Sequence, residues 1–355
     1  MLTAGAIITL QLGHYRLREQ IAGSAYGVIW RASGPRGSRD VALKLINQQQ
    51  MALALPRQRE RWVTSANNEI AFLQSLEPWD ERHIVRLLDS GQHQGLPVLA
   101  LELMSSDLAR HIAAGAAAGA GHAPPLVDIL DWTGQINQAL AKVHQYGWSY
   151  LDLKPANVLF DPLLGSVKLT DFGTNRLAGE AQAQTYAGTA SWQAPEQFFP
   201  AADGSYGGGR RSDYFSLGAL FYFLVTGGVP LRFCSDCGQA YREHHVGGAA
   251  MLRRRAGGAI PATLHPAEEA LFARGFGQDG EACAQAALKL LRALLAPLPE
   301  NRPGHAIQIS RMLAAIRGGL TAPRAVPMNQ LLHGVGRPAA QNGWPLLAQA
   351  IAQTL

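Results

Sequence analysis

Between positions 150 and 173 the chain gathers Asp152, Lys154, Asn157 and Asp171, side chains able to carry, steady or coordinate charge. An aspartate and a lysine two residues apart in an extended loop face one side. A carboxylate able to accept a proton then sits beside an ammonium able to steady an anion. Asn157 and Asp171 add hard oxygen donors of the kind magnesium prefers. Each residue alone reads more simply as a turn or cap residue; their order in one set argues for a site. Upstream, Lys44 stands in the apolar run Val41-Ala42-Leu43-Lys44, where an unpaired ammonium is costly, so it calls for a carboxylate. Glu69 lies on the helical run that follows. Glu60, at the start of that run, is its rival, although acids are common there to complement the helix dipole.

These residues need elements to hold them. Short runs bounded by turn residues predict strands over 15–22, 27–32, 40–46, 83–89 and 97–104. Trp62, Ala66, Ile70, Leu73 and Leu76 recur at helical spacing and predict a helix over 59–76. After position 104 the texture is helical, with helices expected over 126–145, 213–225 and 282–295. The second of these is apolar nearly all round, as a helix buried on every side is. Low-complexity stretches over 113–121 and 201–209 read as loops. The 355 residues suffice for about two domains, and 47% hydrophobic residues exclude wholesale disorder. An excess of 31 Lys and Arg over 26 Asp and Glu is too small and scattered to argue for a nucleic-acid partner. Three cysteines make no disulfide framework, and no apolar run reaches the length of a membrane span. No Lys or Arg precedes Arg16, which argues against a secretion signal. The expected class is a reduced, cytoplasmic globular protein.

Three segments in order carry a resemblance: Tyr150-Leu151-Asp152-Leu153-Lys154-Pro155-Ala156-Asn157, then Asp171-Phe172-Gly173, then Gly188-Thr189-Ala190-Ser191-Trp192-Gln193-Ala194-Pro195-Glu196. With Val41-Ala42-Leu43-Lys44 upstream and Arg211-Ser212-Asp213 downstream, the chain resembles a Hanks-type serine/threonine protein kinase over about residues 15–310. The resemblance implies an α+β bilobal fold, with a small antiparallel sheet and one main helix over 1–104 and a mostly helical lobe over 105–320. It also implies Mg-ATP as cofactor and protein substrates with Ser or Thr acceptors. Asp152 would orient the acceptor hydroxyl and take its proton, and Lys154 would steady the transferring phosphate. Asn157 and Asp171 would hold Mg²⁺, and Lys44, paired with Glu69, would meet the α and β phosphates. Ile21, Ala22, Gly23, Ser24 and Gly27 would cover the phosphates. Glu102, Leu103 and Met104 would form the hinge that pairs with the base, with Leu101 as gatekeeper and Ile21, Ile29, Ala42 and Leu159 around the ring. Glu196 would bridge Arg302, Asp213 would hold the catalytic-loop backbone, and Thr189 would position Asp152 and Lys154. Tyr150, Phe172, Leu73 and Leu87 would form an apolar spine between the lobes.

The chain departs from this pattern at several places. Ala22 and Ser24 replace the first two glycines of the phosphate loop, which should stiffen it. Tyr150 and Leu151 replace the His-Arg before the aspartate, and leucine cannot bind an activation-segment phosphate. The kinase is therefore expected to be constitutively competent or controlled by another route. Trp192 stands where the family has Tyr. Thr174, Thr185, Tyr186, Thr189 and Ser191 are candidate autophosphorylation sites.

Within a suspected insertion over 231–260, Cys234-Ser235-Asp236-Cys237-Gly238 reads as a metal knuckle. Cys234, Cys237, His244 or His245 and Cys283 would complete a structural zinc site. A surface loop with two thiols and a redox pair are the alternatives. Residues 321–355 form a C-terminal extension whose segment 343–355 reads as a short helix, with Leu347, Ile351 and Leu355 on one face. It is expected to lie back on the catalytic domain or to dock a partner. The competing function is a pseudokinase, a nucleotide-binding scaffold, favoured by the altered glycine loop. A small-molecule kinase is disfavoured by Ala194-Pro195-Glu196.

Overall fold

In the first hundred residues, short runs rich in β-branched and aromatic side chains pair into an antiparallel sheet. The computed structural model describes residues 2–321 except 25, 38, 118–122, 178–187 and 278–279. The chain divides into two units, 1–320 and 321–355. The sheet comprises β1 (Ile7–Thr9), β2 (His14–Gly23), β3 (Gly27–Ser33), β4 (Asp40–Ile46), β5 (Leu87–His93) and β6 (Leu96–Glu102). Its strand order is β1-β2-β3-β4-β6-β5.

Both faces of this sheet are apolar. Ala42 of β4 and Leu99 and Leu101 of β6 face one core, which also holds Phe72 and Leu73. Val41, Leu43 and Leu45 alternate to the other face and meet Ile8, Leu10, Tyr15, Leu17, Trp30, Val98 and Ala100. The short strand β1, absent from the sequence expectation, supplies Ile8 to this second core. Leu12 N–H and the Tyr15 hydroxyl both donate to Asp89 Oδ2, at 2.9 and 3.0 Å, which fastens the N-terminal segment to β5.

Two helices interrupt the sheet. Asn47 caps α1 (Gln48–Leu53), and a proline opens α2 (Pro56–Ser75), where its missing N–H costs nothing. The expected strand over 83–89 is displaced. Residues Pro78–His83 form a 3₁₀ turn and pairing begins at Leu87.

The rest of the described chain is mainly helical. It runs through β7 (Ser106–Asp107), α3 (Leu108–Ala117), α4 (Leu126–Gln145), β8 (Trp148–Ser149), β9 (Val158–Asp161), β10 (Ser166–Leu169) and β11 (Arg176–Leu177). Then follow α5 (Pro195–Phe198), α6 (Arg210–Val225), α7 (Arg232–His244), α8 (Gly248–Arg255), α9 (Pro266–Arg274), α10 (Glu281–Leu294) and α11 (Ala306–Thr321). The α+β expectation, a small sheet followed by a larger helical part, matches this architecture. Helix α6 is buried on nearly every side, as its all-round apolar sequence requires. The Ala-rich stretch from position 113 continues α3 to Ala117 instead of starting a loop, because alanine is the strongest helix former; 118–121 lie outside the described residues. So does the expected C-terminal helix over 343–355. Among the described residues no helix is long and apolar enough to cross a membrane.

Candidate active site

Lys44 projects from β4, and its Nζ donates to Glu69 Oε2 at 2.6 Å and to Asp171 Oδ1 at 2.7 Å. The need of a charge in an apolar strand for a carboxylate is thus met by α2, while Glu60 is exposed on the first turns of that helix. Burial pushes the Lys44 ammonium toward neutrality, but the charges of Asp171 and Glu69 outweigh it and hold the group protonated. Lys44 in turn draws the Asp171 carboxyl below its usual value, against its own burial. Glu69 is buried, and desolvation raises its carboxyl although Lys44 pulls it back. One lysine faces two carboxylates, so the cluster carries excess negative charge, a setting suited to a cation.

A second cluster is built on the loop between β8 and β9. Asp152 Oδ2 accepts from Lys154 Nζ at 2.8 Å and from Asn157 Nδ2 at 3.0 Å. Asp152 Oδ1 accepts from Thr189 N–H at 2.9 Å, and Lys154 Nζ also donates to the Thr189 hydroxyl at 2.7 Å. Thr189 thus touches both Asp152 and Lys154, the contacts that its expected positioning role requires. Burial raises the Asp152 carboxyl above its ordinary value, with Lys154 acting in the opposite sense. Asn157 spends its amide N–H groups on the Asp152 backbone and side chain. The amide oxygen of Asn157 and the half-exposed carboxylate of Asp171 are hard donors that fit a divalent cation such as Mg²⁺.

Two loops of this site are held in left-handed backbone. Leu151 has φ +65° and Asp171 φ +62°, two of only four described non-glycine residues with positive φ. Such a conformation costs a leucine roughly 1–2 kcal/mol. It is tethered by Asp213 at the start of α6, whose Oδ1 accepts from Leu151 N–H at 2.7 Å and whose Oδ2 accepts from Tyr150 N–H at 2.9 Å. His144 Nε2 lies 2.7 Å from the same Oδ2. Tyr150 lies edge-on to Phe172 at 5.2 Å, its hydroxyl donates to Thr170 O, and Leu73 and Leu87 join the same cluster. Sequence reasoning missed two further supports. Phe72 lies 4.7 Å from the Phe172 ring, and the Ser65 hydroxyl donates to Gly173 O at 2.7 Å. Periodicity alone pointed to Leu73; nothing in the sequence pairs Ser65 with a glycine 108 positions on.

Glu196 and Arg302 meet as expected. The buried guanidinium donates to both carboxylate oxygens at 2.7 and 2.9 Å and sits 5.0 Å over the Phe215 ring. Trp192 packs edge-on to Phe223 at 5.4 Å. Of the candidate phosphorylation sites, Thr174 donates to Tyr150 O, and Thr185 and Tyr186 lie outside the described residues.

Of the proposed base-binding residues, Ile29, Ala42, Leu101 and Leu159 belong to one apolar cluster. Ile21 is on β2, Ile29 on β3, Ala42 and Leu101 form a cross-strand pair of β4 and β6, and Leu159 is on β9. Glu102 ends β6, and Met104 follows it. The Glu102 side chain accepts from Lys168 Nζ at 2.5 Å and from Arg86 N–H at 2.8 Å, which ties this segment to β10. Ala22 and Gly23 end β2, Gly27 opens β3, and Ser24 lies in the turn between them.

The metal knuckle is not what the chain forms. Cys234 and Cys237 lie inside α7, buried in the same apolar core as Cys283 of α10. Burial pushes the Cys234 thiol up to about 12 and Cys237 up as well. The exposed His244 ends α7 beside Glu243. Among the described residues no group of three His, Cys, Asp or Glu is placed to hold a metal ion. The two cysteines fall one helical turn apart on the inward face of an amphipathic helix, a pattern that mimics a Cys-x-x-Cys turn.

Comparison with known proteins agrees with this geometry. The protein kinase domain family matches residues 15–313. Serine/threonine-protein kinase A of Synechocystis sp. is 32% identical over 253 residues, 66% of this chain and 45% of that protein. The probable serine/threonine-protein kinase pknA2 of Bifidobacterium longum is 29% identical over 227 residues, 63% of this chain and 28% of that protein. Serine/threonine-protein kinase PknL of Mycobacterium tuberculosis is 29% identical over 232 residues, 64% of this chain and 53% of that protein. The alignments thus span about a quarter to a half of the length of these relatives.

Proposed function

The chain belongs to the protein kinase domain family, and on that premise we propose that it transfers the γ-phosphate of Mg-ATP to serine and threonine hydroxyls of protein substrates. The observation that carries this reading is the pair of facing clusters, Lys44-Glu69-Asp171 and Asp152-Lys154-Asn157-Thr189, complete in every charged member. Asp152 accepts the proton of the substrate hydroxyl. Lys154 faces the negative charge that moves with the phosphoryl group. Lys44 binds the α and β phosphates and is kept in place by Glu69. Asn157 and Asp171 hold Mg²⁺, which neutralises phosphate charge when bound. The backbone of Glu102 and Met104 pairs with the adenine between Ile21, Ile29, Ala42 and Leu159, and the turn from Ala22 to Gly27 covers the phosphates. Incubation with γ-³²P-ATP and magnesium should label protein on Ser and Thr, with chelation of magnesium abolishing it. Nucleotide binding without label would favour the second reading, a scaffolding pseudokinase, to which the altered residues Ala22 and Ser24 lend support.

Activity is proposed to be independent of a phosphate on the activation segment. Leu151 stands where an arginine would hold that phosphate; it is buried, and its methyls lie 3.3 Å from where a side chain on Gly208 would begin. An apolar residue packed there offers no anion site. Phosphatase-treated protein is expected to retain transfer to an exogenous substrate with no lag. A large loss, restored by autophosphorylation, would overturn this.

A further inference from the structure

The Cys-x-x-Cys-Gly segment builds no metal site among the described residues, and its parts seat helix α7 instead. Cys234 and Cys237 are buried in the apolar core, and Gly238 presses its backbone on the loop that follows Thr189. A Cβ at 238 would stand 2.2 Å from Ser191 Oγ and 3.1 Å from Ser191 Cβ, so only glycine lets the helix come this near. That loop is itself fixed. Trp192 N–H donates to Thr189 O at 2.9 Å, and the Ser216 hydroxyl of α6 donates to Trp192 O at 2.7 Å.

Arg242 lies one turn beyond Gly238 on the same face of α7. Its Nη1 is 3.5 Å from the point where that Cβ would begin, so the guanidinium and the Ser191 side chain meet at one spot. The other charges of the helix are engaged: Arg232 faces Asp236 at 3.7 Å, and Glu243 accepts from Gln239 at 2.8 Å. Arg242 is exposed, and among the described residues no acid pairs with it. A cation in the last turn suits the helix dipole, which accounts for its sign but not for its place against this loop.

Thr189 touches both Asp152 and Lys154, so the hydroxyl to be phosphorylated arrives beside it. Ser191 is two residues on, and an extended peptide advances about 3.3 Å per residue. The peptide flanking the acceptor therefore passes within reach of Arg242. A basic flank meets no open acid there. Asp152 is held by Lys154 and Glu196 by Arg302, while Ala156, between Lys154 and Asn157, is exposed and uncharged.

We propose that Arg242 selects the substrate by pairing with an aspartate or glutamate about one to three residues from the acceptor Ser or Thr, so that acidic sequences are phosphorylated in preference to basic ones. The proposal rests on the kinase reading above and deepens it. An exposed ion pair of this kind gives a preference of about two- to fivefold, and the net charge of +5 adds attraction of the same sign.

The test uses the full chain, Mg-ATP and a serine peptide carrying Asp, Ala or Arg at each position near the acceptor. The wild type should favour Asp over Ala about two- to fivefold in kcat/KM, with Arg below Ala, and high salt should narrow the gap. Arg242→Lys should keep the preference, and Arg242→Ala should bring the Asp and Ala peptides level. Arg242→Glu should turn the preference toward Arg, a reversal that misfolding does not produce. Equal use of all three peptides by the wild type, an acidic preference that survives in Arg242→Ala, or an equal loss on every peptide in Arg242→Glu would each overturn the proposal. Absence of any transfer by the wild type, to itself or to any protein or peptide, would overturn the kinase reading and the selectivity with it.

Discussion

Asp152→Asn is expected to lower phosphoryl transfer by about 10²–10⁴-fold while Mg-ADP binding stays near the wild-type value. The carboxylate has both oxygens engaged: Oδ1 by Thr189 N–H, Oδ2 by Lys154 and Asn157. Whichever way an asparagine amide turns, it can no longer accept a proton, and its NH₂ faces at least one existing donor. Rate and local order are lost together, whereas the proposed nucleotide contacts on Lys44 and the small sheet stay in place. The pH profile should carry the same signature in the wild type. Burial raises the Asp152 carboxyl, and a protonated acid cannot act as base. The acid limb of kcat/KM should therefore lie above the ordinary carboxylate value near 4, with activity lost as pH falls through it. Transfer by Asp152→Asn within about tenfold of wild type would remove Asp152 from the mechanism.

Asp213→Ala is expected to be the most destabilising single change in the helical part. It orphans the backbone N–H groups of Tyr150 and Leu151 at a fully buried position, at roughly 1–3 kcal/mol for each donor. It also releases the tether on the left-handed Leu151. Both the urea midpoint and transfer activity should fall. Asp213→Asn keeps one acceptor oxygen and should lie between. An unchanged midpoint for Asp213→Ala would mean that the loop holds its shape without α6.

The parts of this site that were legible in the sequence are those where a charge had to be answered. Lys44 in an apolar strand required an acid, and Glu69 was the one placed to answer. The ordered acids and amide from Asp152 to Asp171, and Glu196 with Arg302, were readable instead through the resemblance that their segments carry. What stayed hidden depends on encounters between distant, unremarkable residues. Ser65 with Gly173 and Phe72 with Phe172 carry no motif. Strand β1 is three residues long, too short for its alternation to stand out before the sheet is assembled. Two cysteines three apart read equally well as a knuckle or as one turn of an inward helix face, and only the fold decides between them. The Ala-rich stretch from position 113 failed as a loop because low complexity says nothing against helix when the repeated residue is alanine.

The second apolar layer on the small sheet sets where the protein can be trimmed. The family match begins at residue 15 and ends at 313, yet Ile8 and Leu10 are buried on the near side of that boundary and Ile316 on the far side. A chain cut at the family limits would lose these plugs and open greasy seams at both ends. The folding unit is thus wider than the recognisable catalytic one, and shortened versions of this protein should be prone to clumping.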